Sequence, residues 1–582
     1  MLRGMMMDRP LLVSSVIDFA AETYPDVEIV SQTVEGGLHR YGYAAARERI
    51  GRLANALIGL GIKPGDRVAT LAWNGYRHFE LYYAIAGIGA VCHTINPRLF
   101  PEQITYIANH AEDTALFFDL TFLPLLEKIA PTLNTTRICV LMTDRAHMPA
   151  ESAMKGLLCY EDLLADYSPE LTWPEFDEHA ACALCYTSGT TGEPKGVLYS
   201  NRSMLLHTFF LIATRPDLFA YNRTILPVVP LFHANAWSLP YVAPLAGCPF
   251  ILPGAKLDGP TLYELMESEG VEAGWGVPTV WLGLLEEFKK RGRKPRKLSQ
   301  ILSGGSAVPQ AMIDILTRDY GIEVTHGWGM TEMSPVGTLT LFRPEERGRP
   351  AMARAALSAR QGRRMFGVDL KVIDDKGNRA PPDGATSGEL FVRGAAVVSG
   401  YFNNSEASAR QIDEEGWFGT GDVAKITPDR WLAIVDRTKD LVKSGGEWIS
   451  SIDVENAALA CTGIANCAVI GVPHPKWNER PLLVVVKAPG ANLTKAEVLD
   501  VLGSKIAKWQ LPDDVVFVDA LPMTATGKIS KRTCARSSPS TSWRSDGRIL
   551  VCDGDGGEGC NACNACVGKV RFDPISGPGG DA

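Results

Sequence analysis

A chain of 582 residues is too long for one hydrophobic core, so two or more domains are expected. Hydrophobic residues at 46% and charged residues at 21% are ordinary for a folded protein and exclude disorder over most of the length. The net charge of −8 gives no electrostatic reason for a nucleic-acid partner.

The first 25 residues lack the long apolar core of a secretion signal, and Asp18 interrupts them. Pro and charges break every apolar stretch before the roughly 20 residues a membrane helix needs, so no membrane insertion is expected. Nine of the 13 cysteines are scattered through apolar segments, as reduced, buried thiols are. These features predict a soluble cytoplasmic protein.

From about residue 40 to 535, short β-rich runs alternate with longer helical patterns, the rhythm of layered α/β architecture. A strand is predicted over 67–72 after the turn Pro64-Gly65, then a helix through 80–87. A strand over 180–185 precedes a glycine-rich loop, and period-two strands follow over 368–373 and 388–393. Residues 413–440 are dense in Gly, Asp and Lys, and chemistry-rich loops then lead into a smaller region. The segment 452–529 reads as a compact α+β unit, with strands over 468–472, 482–487 and 515–518 and a helix over 495–508. Beyond Lys531 the composition turns to Ser, Gly, Asp and Cys with little apolar periodicity.

The strongest local signal is Tyr186-Thr-Ser-Gly-Thr-Thr-Gly-Glu-Pro-Lys-Gly196. Its glycines and hydroxyl residues let backbone N–H groups converge on an anion, and Lys195 adds a point charge. It is not a Walker loop, because no Ser or Thr follows the lysine and Pro194 stands where the capping helix would run.

This string resembles the phosphate loop of the adenylate-forming superfamily, which includes acyl-CoA synthetases, luciferases and peptide-synthetase adenylation domains. Four further motifs of that superfamily follow in order: His326-Gly-Trp-Gly-Met-Thr-Glu332, Gly416-Trp-Phe-Gly-Thr-Gly-Asp422, Asp436-Arg-Thr-Lys-Asp440 and Pro522-Met-Thr-Ala-Thr-Gly-Lys528. The resemblance spans roughly residues 10–533. It implies ATP or AMP binding by Thr187, Ser188, Gly189, Thr190, Thr191, Gly192 and Lys195. It implies the same for Gly304, Gly305, Ser306, His326, Gly327, Trp328, Gly329, Met330, Thr331, Asp422, Arg437, Lys439 and Lys528. Within that set Trp328 would flank the adenine, Thr331 would contact the α-phosphate, and Glu332 with Thr187 would hold Mg²⁺. Asp422 would accept the ribose hydroxyls with Arg437 nearby, and Lys439 would be the pivot. Lys528, Thr187 and Glu332 are the expected catalytic residues.

The set is coherent as chemistry. A carboxylate is a poor acylating agent until its oxygen is converted to a good leaving group, and attack on the α-phosphate of ATP does this. Two anions must meet, so Lys195, Lys528 and a metal at Glu332 supply the neutralisation.

Lys443-Ser-Gly-Gly-Glu-Trp-Ile-Ser450 resembles the loop beside the pantetheine in CoA-forming members. It would line a coenzyme A channel with Lys443, Gly445, Gly446, Glu447 and Trp448. In Pro227-Val-Val-Pro-Leu-Phe-His-Ala-Asn-Ala-Trp-Ser238, His233 and Trp237 are four residues apart and would share one face of a helix. The resemblance places them in the acyl pocket with Gly276 and Val277 at its floor, and bulky Trp and Phe there favour a short or medium acid.

The segments 93–102, 142–149 and 471–480 resemble 3-methylmercaptopropionyl-CoA ligases and medium-chain fatty-acid CoA ligases. Arg393-Gly-Ala-Ala396 departs from that group, where Pro and Trp are usual. The expected layout is an α/β fold with a large multi-layer AMP-binding domain over 1–436 and a hinge over 437–440. A mobile α+β domain over 441–535 and a disordered or aberrant tail over 536–582 complete it, with the active site in the cleft between the domains. The implied reactants are a small carboxylic acid, ATP with Mg²⁺, and coenzyme A; a homodimer stays open.

Cys552, Cys560, Cys563 and Cys566 have a metal-like C-x₇-C-x₂-C-x₂-C spacing, and Gly554-Asp-Gly-Gly-Glu-Gly559 is a formal dinucleotide string without a strand or helix around it. Both are set aside on composition. Cys182 and Cys185 would point to opposite faces of a strand. The seven cations in 289–297 read as a solvated loop. Two alternatives remain: an adenylate former with another acid or acceptor, such as an aryl-CoA ligase or a luciferase-like oxidase, and a non-catalytic nucleotide or metal binder.

Overall fold

The computed structural model describes residues 1–187, 193–444, 447–524 and 528–537, together with the short strands Ser542–Trp543 and Ile549–Leu550. Ser188, Gly189, Thr190, Thr191, Gly192, Gly445, Gly446 and the four tail cysteines lie outside the described residues. The chain divides into two units. The first comprises Met1–Val308, Ile313–Leu370 and Phe391–Gly419, and the second Pro309–Met312, Lys371–Leu390 and the chain from Thr420 on.

The first unit is built on two large sheets. In one, strands Leu158–Cys159, Ile138–Leu141, Asp113–Phe118, Arg67–Leu71, Val91–Thr94, Ala181–Tyr186 and Gly196–Ser200 lie side by side in that order, parallel except for the last pair. Ala181–Tyr186 is buried at every position after the first, which is why its sequence reads as a continuous apolar run rather than an alternation. Cys182 and Cys185 are both buried in it as free thiols.

The second sheet has nine strands, and its parallel centre includes Ile225–Pro227, Ala273–Gly276, Gln300–Ser303 and Glu323–Gly329 as successive neighbours. Loops that leave the carboxyl ends of parallel strands are where such sheets place their ligands. The segments after Pro227, Gly276, Ser303 and Gly329 are the ones the motifs singled out.

In the second unit a long hairpin, Ile464–His474 with Asn478–Lys487, belongs to a five-stranded sheet completed by Val442–Ser444, Glu447–Ile449 and Asp514–Val518, with Asn478–Lys487 central. Alternate residues feed two cores. Val469, Leu483 and Val485 pack with Val454, Val498 and Leu502, while Ala468, Ile470, Leu482 and Val484 pack with Leu521 and Cys534. The second core explains a difference from the sequence reading. The composition changes after Lys531, yet a helix runs Lys531–Ser537 with Cys534 fully buried, because that face of the hairpin needs a cover.

Two other expectations change. The helix expected over 495–508 ends at Gly503, and residues 413–440 hold the antiparallel strands Phe418–Ile426 and Leu432–Arg437. The basic run is not simply solvated. Arg291 pairs with Glu264 and Glu287, and Arg293 and Arg296 pair with Glu267. Among the described residues no helix is long and apolar enough to cross a membrane.

Candidate active site

In the first unit the neck of the glycine-rich loop is closed by the backbone. Tyr186 pairs with Gly196, the Thr187 N–H donates to the Lys195 carbonyl at 2.9 Å, and the Lys195 N–H donates to Thr187 Oγ1 at 3.3 Å. These bonds bring Thr187 and Lys195 together at the base of the loop. Lys195 makes no ion pair among the described residues; its ammonium lies 4.9 Å from the centre of the Tyr401 ring.

Glu332 lies in the single 3-10 turn Thr331–Met333 that follows Glu323–Gly329, and both Thr331 and Glu332 are buried. Tyr199 donates to the Thr331 carbonyl at 2.7 Å, and the Val398 N–H to the Glu332 carbonyl at 2.9 Å, which fix the turn from behind. Tyr401 donates to Glu332 Oε1 at 2.8 Å. Burial first, and then the Glu332 charge, push the Tyr401 phenol well above its ordinary pKa, so it remains a donor.

The motif around Glu332 divides by the direction of its side chains. His326 turns into the core, its Nδ1 3.2 Å from the Ser358 carbonyl, and burial pulls its pKa down to about 4. Trp328 is largely buried. Gly327 and Gly329 are places of close approach: a Cβ on Gly329 would lie 2.0 Å from the Pro335 carbonyl oxygen, and one on Gly304 would lie 2.7 Å from that of Gly327. Gly305 has φ +81°, which favours glycine, and Ser306 follows it in the same turn. The Met330 N–H donates to the Pro335 carbonyl.

The segment carrying His233 and Trp237 is not a right-handed helix, which corrects the shared-face expectation. Ala234, Asn235, Ala236, Trp237 and Ser238 all have φ between 45° and 65°, a left-handed turn without a glycine. Each such residue costs about 1–2 kcal/mol, so the surroundings must hold the turn. Ser238 Oγ contacts buried His207 Nδ1 at 2.8 Å and donates to the Ser334 carbonyl at 3.1 Å, while the Val336 N–H donates to His207 Nε2 at 3.0 Å. Burial drops the His207 pKa to about 3, so the ring is neutral. The turn thus hangs from the segment behind Glu332.

Trp237 meets the Trp275 ring edge-on at 6.5 Å, and its Cη2 would lie 3.4 Å from a Cβ on Gly304. Gly276 is crowded by Trp281, and Val277 precedes helix Pro278–Arg291. Ala396, at the departure from the usual Pro-Trp, is buried and offers its carbonyl to Ser334 Oγ at 2.9 Å.

In the second unit Asp422 and Arg437 face each other across a hairpin, with Oδ1 3.2 Å from Nε, and Asp422 is buried. Burial lowers the Lys439 pKa. Just before Arg437, buried Asp436 accepts from the Ser451 N–H and Oγ at 2.6 Å each. Burial works against the Lys531 ammonium, but Glu455 and Asp436 overcome it and raise its pKa; Lys531 lies 2.8 Å from Glu455.

Lys443 and Trp448 are cross-strand partners, as are Ser444 and Glu447. The Lys443 N–H donates to Glu479, and Trp448 is half exposed. Lys528 closes a turn in which its N–H donates to Thr524 Oγ1 at 3.1 Å.

Tyr401, His207 and Ser238 carry this geometry without a sequence signal of their own.

The family described as AMP-binding enzyme matches residues 17–402, and the AMP-binding enzyme C-terminal domain matches residues 453–528. A 3-methylmercaptopropionyl-CoA ligase of Ruegeria lacuscaerulensis is 49% identical over 91% of this chain and 97% of its own length. A medium-chain-fatty-acid–CoA ligase of Ectopseudomonas oleovorans is 46% identical over 91% of this chain and 96% of its own length. The crystal structure of an anthranilate CoA ligase with anthranoyl-AMP shares the fold, with a TM-score of 0.80 at 23% identity, covering 91% of this chain and 98% of that one. The chain belongs to the AMP-binding enzyme family, as an acyl-CoA synthetase of the adenylate-forming superfamily.

Proposed function

We propose that the chain joins 3-(methylthio)propionate or a short- to medium-chain fatty acid to coenzyme A through an acyl-adenylate, with the residues above in the following roles. A carboxylate oxygen of the acid attacks the α-phosphorus of ATP, and the bond to the β-phosphate oxygen breaks, releasing pyrophosphate. The sulfur of coenzyme A then attacks the acyl carbon, and AMP leaves with the bonding electrons. Lys195 and Thr187 bind the phosphates, Asp422 and Arg437 the ribose, and Lys528 the reacting carboxylate.

The observation that carries this reading is the convergence of Lys195 and Glu332 on Tyr401, a cation and a carboxylate held side by side without pairing with each other. The donor set suits Mg²⁺, which prefers hard oxygens and is commonly held by one or two carboxylates plus substrate phosphates. Among the described residues there is no cluster of three or more His, Cys, Asp or Glu to cage a metal, while Glu332 offers a buried oxygen already oriented by a hydroxyl. Bound there with Thr187, Mg²⁺ would neutralise developing phosphate charge.

Trp237 stands edge-on to Trp275 and close to Gly304, and bulky rings in the proposed acyl pocket would suit a small acid. Arg437–Asp440 is the hinge of this reading, and the free cysteines of the described residues support a reducing, cytoplasmic location. A panel from methylthiopropionate through butyrate to decanoate, with ATP, Mg²⁺ and coenzyme A, tests the proposal. Thioester formation with AMP release is expected from the small acids. Turnover confined to aryl acids, or oxidation in place of thioester formation, would contradict it.

A further inference from the structure

We propose that Tyr401 is a positioning residue of the adenylating centre, orienting Glu332 through its hydroxyl and seating Lys195 on its ring. This rests on the roles given above to Glu332 and Lys195.

A lysine and a glutamate at the edge of one site attract each other, and an ion pair between them would spend both charges before the nucleotide arrived. Tyr401 satisfies the two separately. Its hydroxyl donates to Glu332 Oε1 at 2.8 Å, which fixes the rotation of the carboxylate, and its ring face lies 4.9 Å from the Lys195 ammonium. Lys195 makes no ion pair among the described residues, so its charge remains for an anion.

The tyrosine is itself well fixed. Its N–H donates to Ser408 Oγ at 2.8 Å, its ring lies edge-on to Phe418 at 6.2 Å, and it is 9% exposed. A phenol is also suited to the task chemically. Its hydroxyl adds a donor to the carboxylate without adding a formal charge that would oppose the incoming phosphates.

The test is a pair of double-mutant cycles with two readouts: calorimetric affinity for Mg²⁺ in the presence of a non-reacting ATP analogue, and the rate of acid-dependent pyrophosphate release. Tyr401→Phe keeps the ring and removes the hydroxyl. It is expected to weaken Mg²⁺ about ten- to hundredfold, the usual cost of losing a partner that orients a ligand, with no further loss in the Glu332→Gln background. Tyr401→Leu also removes the ring and should slow pyrophosphate release beyond Tyr401→Phe, an excess that vanishes in the Lys195→Met background.

Tyr401→Phe preserves size and packing, so it keeps the cycle readable should the leucine variant fail to fold. Losses that simply multiply in the double variants would overturn the role of Tyr401 while leaving the site intact. Wild-type Mg²⁺ affinity and rate in Glu332→Gln and Lys195→Met would instead overturn the site, and the inference with it.

Discussion

In the first unit, the charged groups assigned to the nucleotide stand on buried supports. Lys195 rests on Tyr401, Glu332 is held by that tyrosine's hydroxyl and by backbone bonds, and the turn bearing Trp237 hangs from buried His207. In the second unit, Lys528 closes a short turn and Trp448 projects from a three-residue strand, half exposed, while Lys531 is held by Glu455 and by the charge of buried Asp436. Groups that must be in place before ATP binds gain from rigidity, because preorganised charge costs no rearrangement at the moment of reaction. Groups on hairpin edges and turns suit a part that serves two successive steps with different partners.

The contrast is tested most severely at Lys528. Lys528→Ala is expected to slow pyrophosphate release by about 10²–10³-fold, the scale of losing one preorganised charge contact, while coenzyme A binding measured by calorimetry is kept. Equal loss of both would mean that the turn supports the whole unit rather than one step. On the rigid side, Trp237→Ala would open the wall of the proposed acyl pocket. Its kcat/KM should shift by about tenfold toward longer acids, the discrimination that one or two methylenes carry. An unchanged chain-length profile would remove Trp237 from the pocket.

Trp448→Ala is expected to slow thioester formation by at most about tenfold, since one aromatic contact contributes about 0.5–1.5 kcal/mol, and to leave a first turnover of pyrophosphate intact. An equal loss in both half-reactions would blur the division of labour between the units.

A pH dependence at His207 is read from stability rather than from rate. Burial holds its pKa near 3, below the ordinary 6.5, so the folded ring refuses a proton that the unfolded chain accepts. Its contribution is complete above pH 6.5 and is lost as pH falls toward 3, at about 1.4 kcal/mol per pH unit. Between pH 7 and pH 5 the wild type should lose about 2 kcal/mol more stability than His207→Asn in denaturant titrations. Parallel pH profiles would show that His207 is protonated in the folded state.

Much of this was legible in the residues, and for definite reasons. A parallel strand buried on both faces writes itself as an apolar run, so Ala181–Tyr186 was readable to within a residue, and with it the loop that follows. The neck formed by Thr187 and Lys195 and the cross-strand pairing of Asp422 with Arg437 grow from motifs contiguous in sequence. Tyr401 lies 69 residues from Glu332, and His207 lies 31 from Ser238, so no local pattern announces either contact. The left-handed turn at Ala234–Ser238 defeats the helical spacing rule because its conformation is imposed by tertiary bonds against the intrinsic preference of every residue in it. The helix Lys531–Ser537 was hidden by a polar composition, since it contributes one fully buried side chain, Cys534, to the core it covers.

The reaction itself is tested most directly by a single turnover without coenzyme A. With ATP, Mg²⁺ and methylthiopropionate or butyrate, the enzyme should release pyrophosphate in an amount matching the enzyme and retain acyl-AMP, and AMP should appear only when coenzyme A is added. Formation of ADP and phosphate, or no pyrophosphate until coenzyme A is present, would contradict activation through an adenylate.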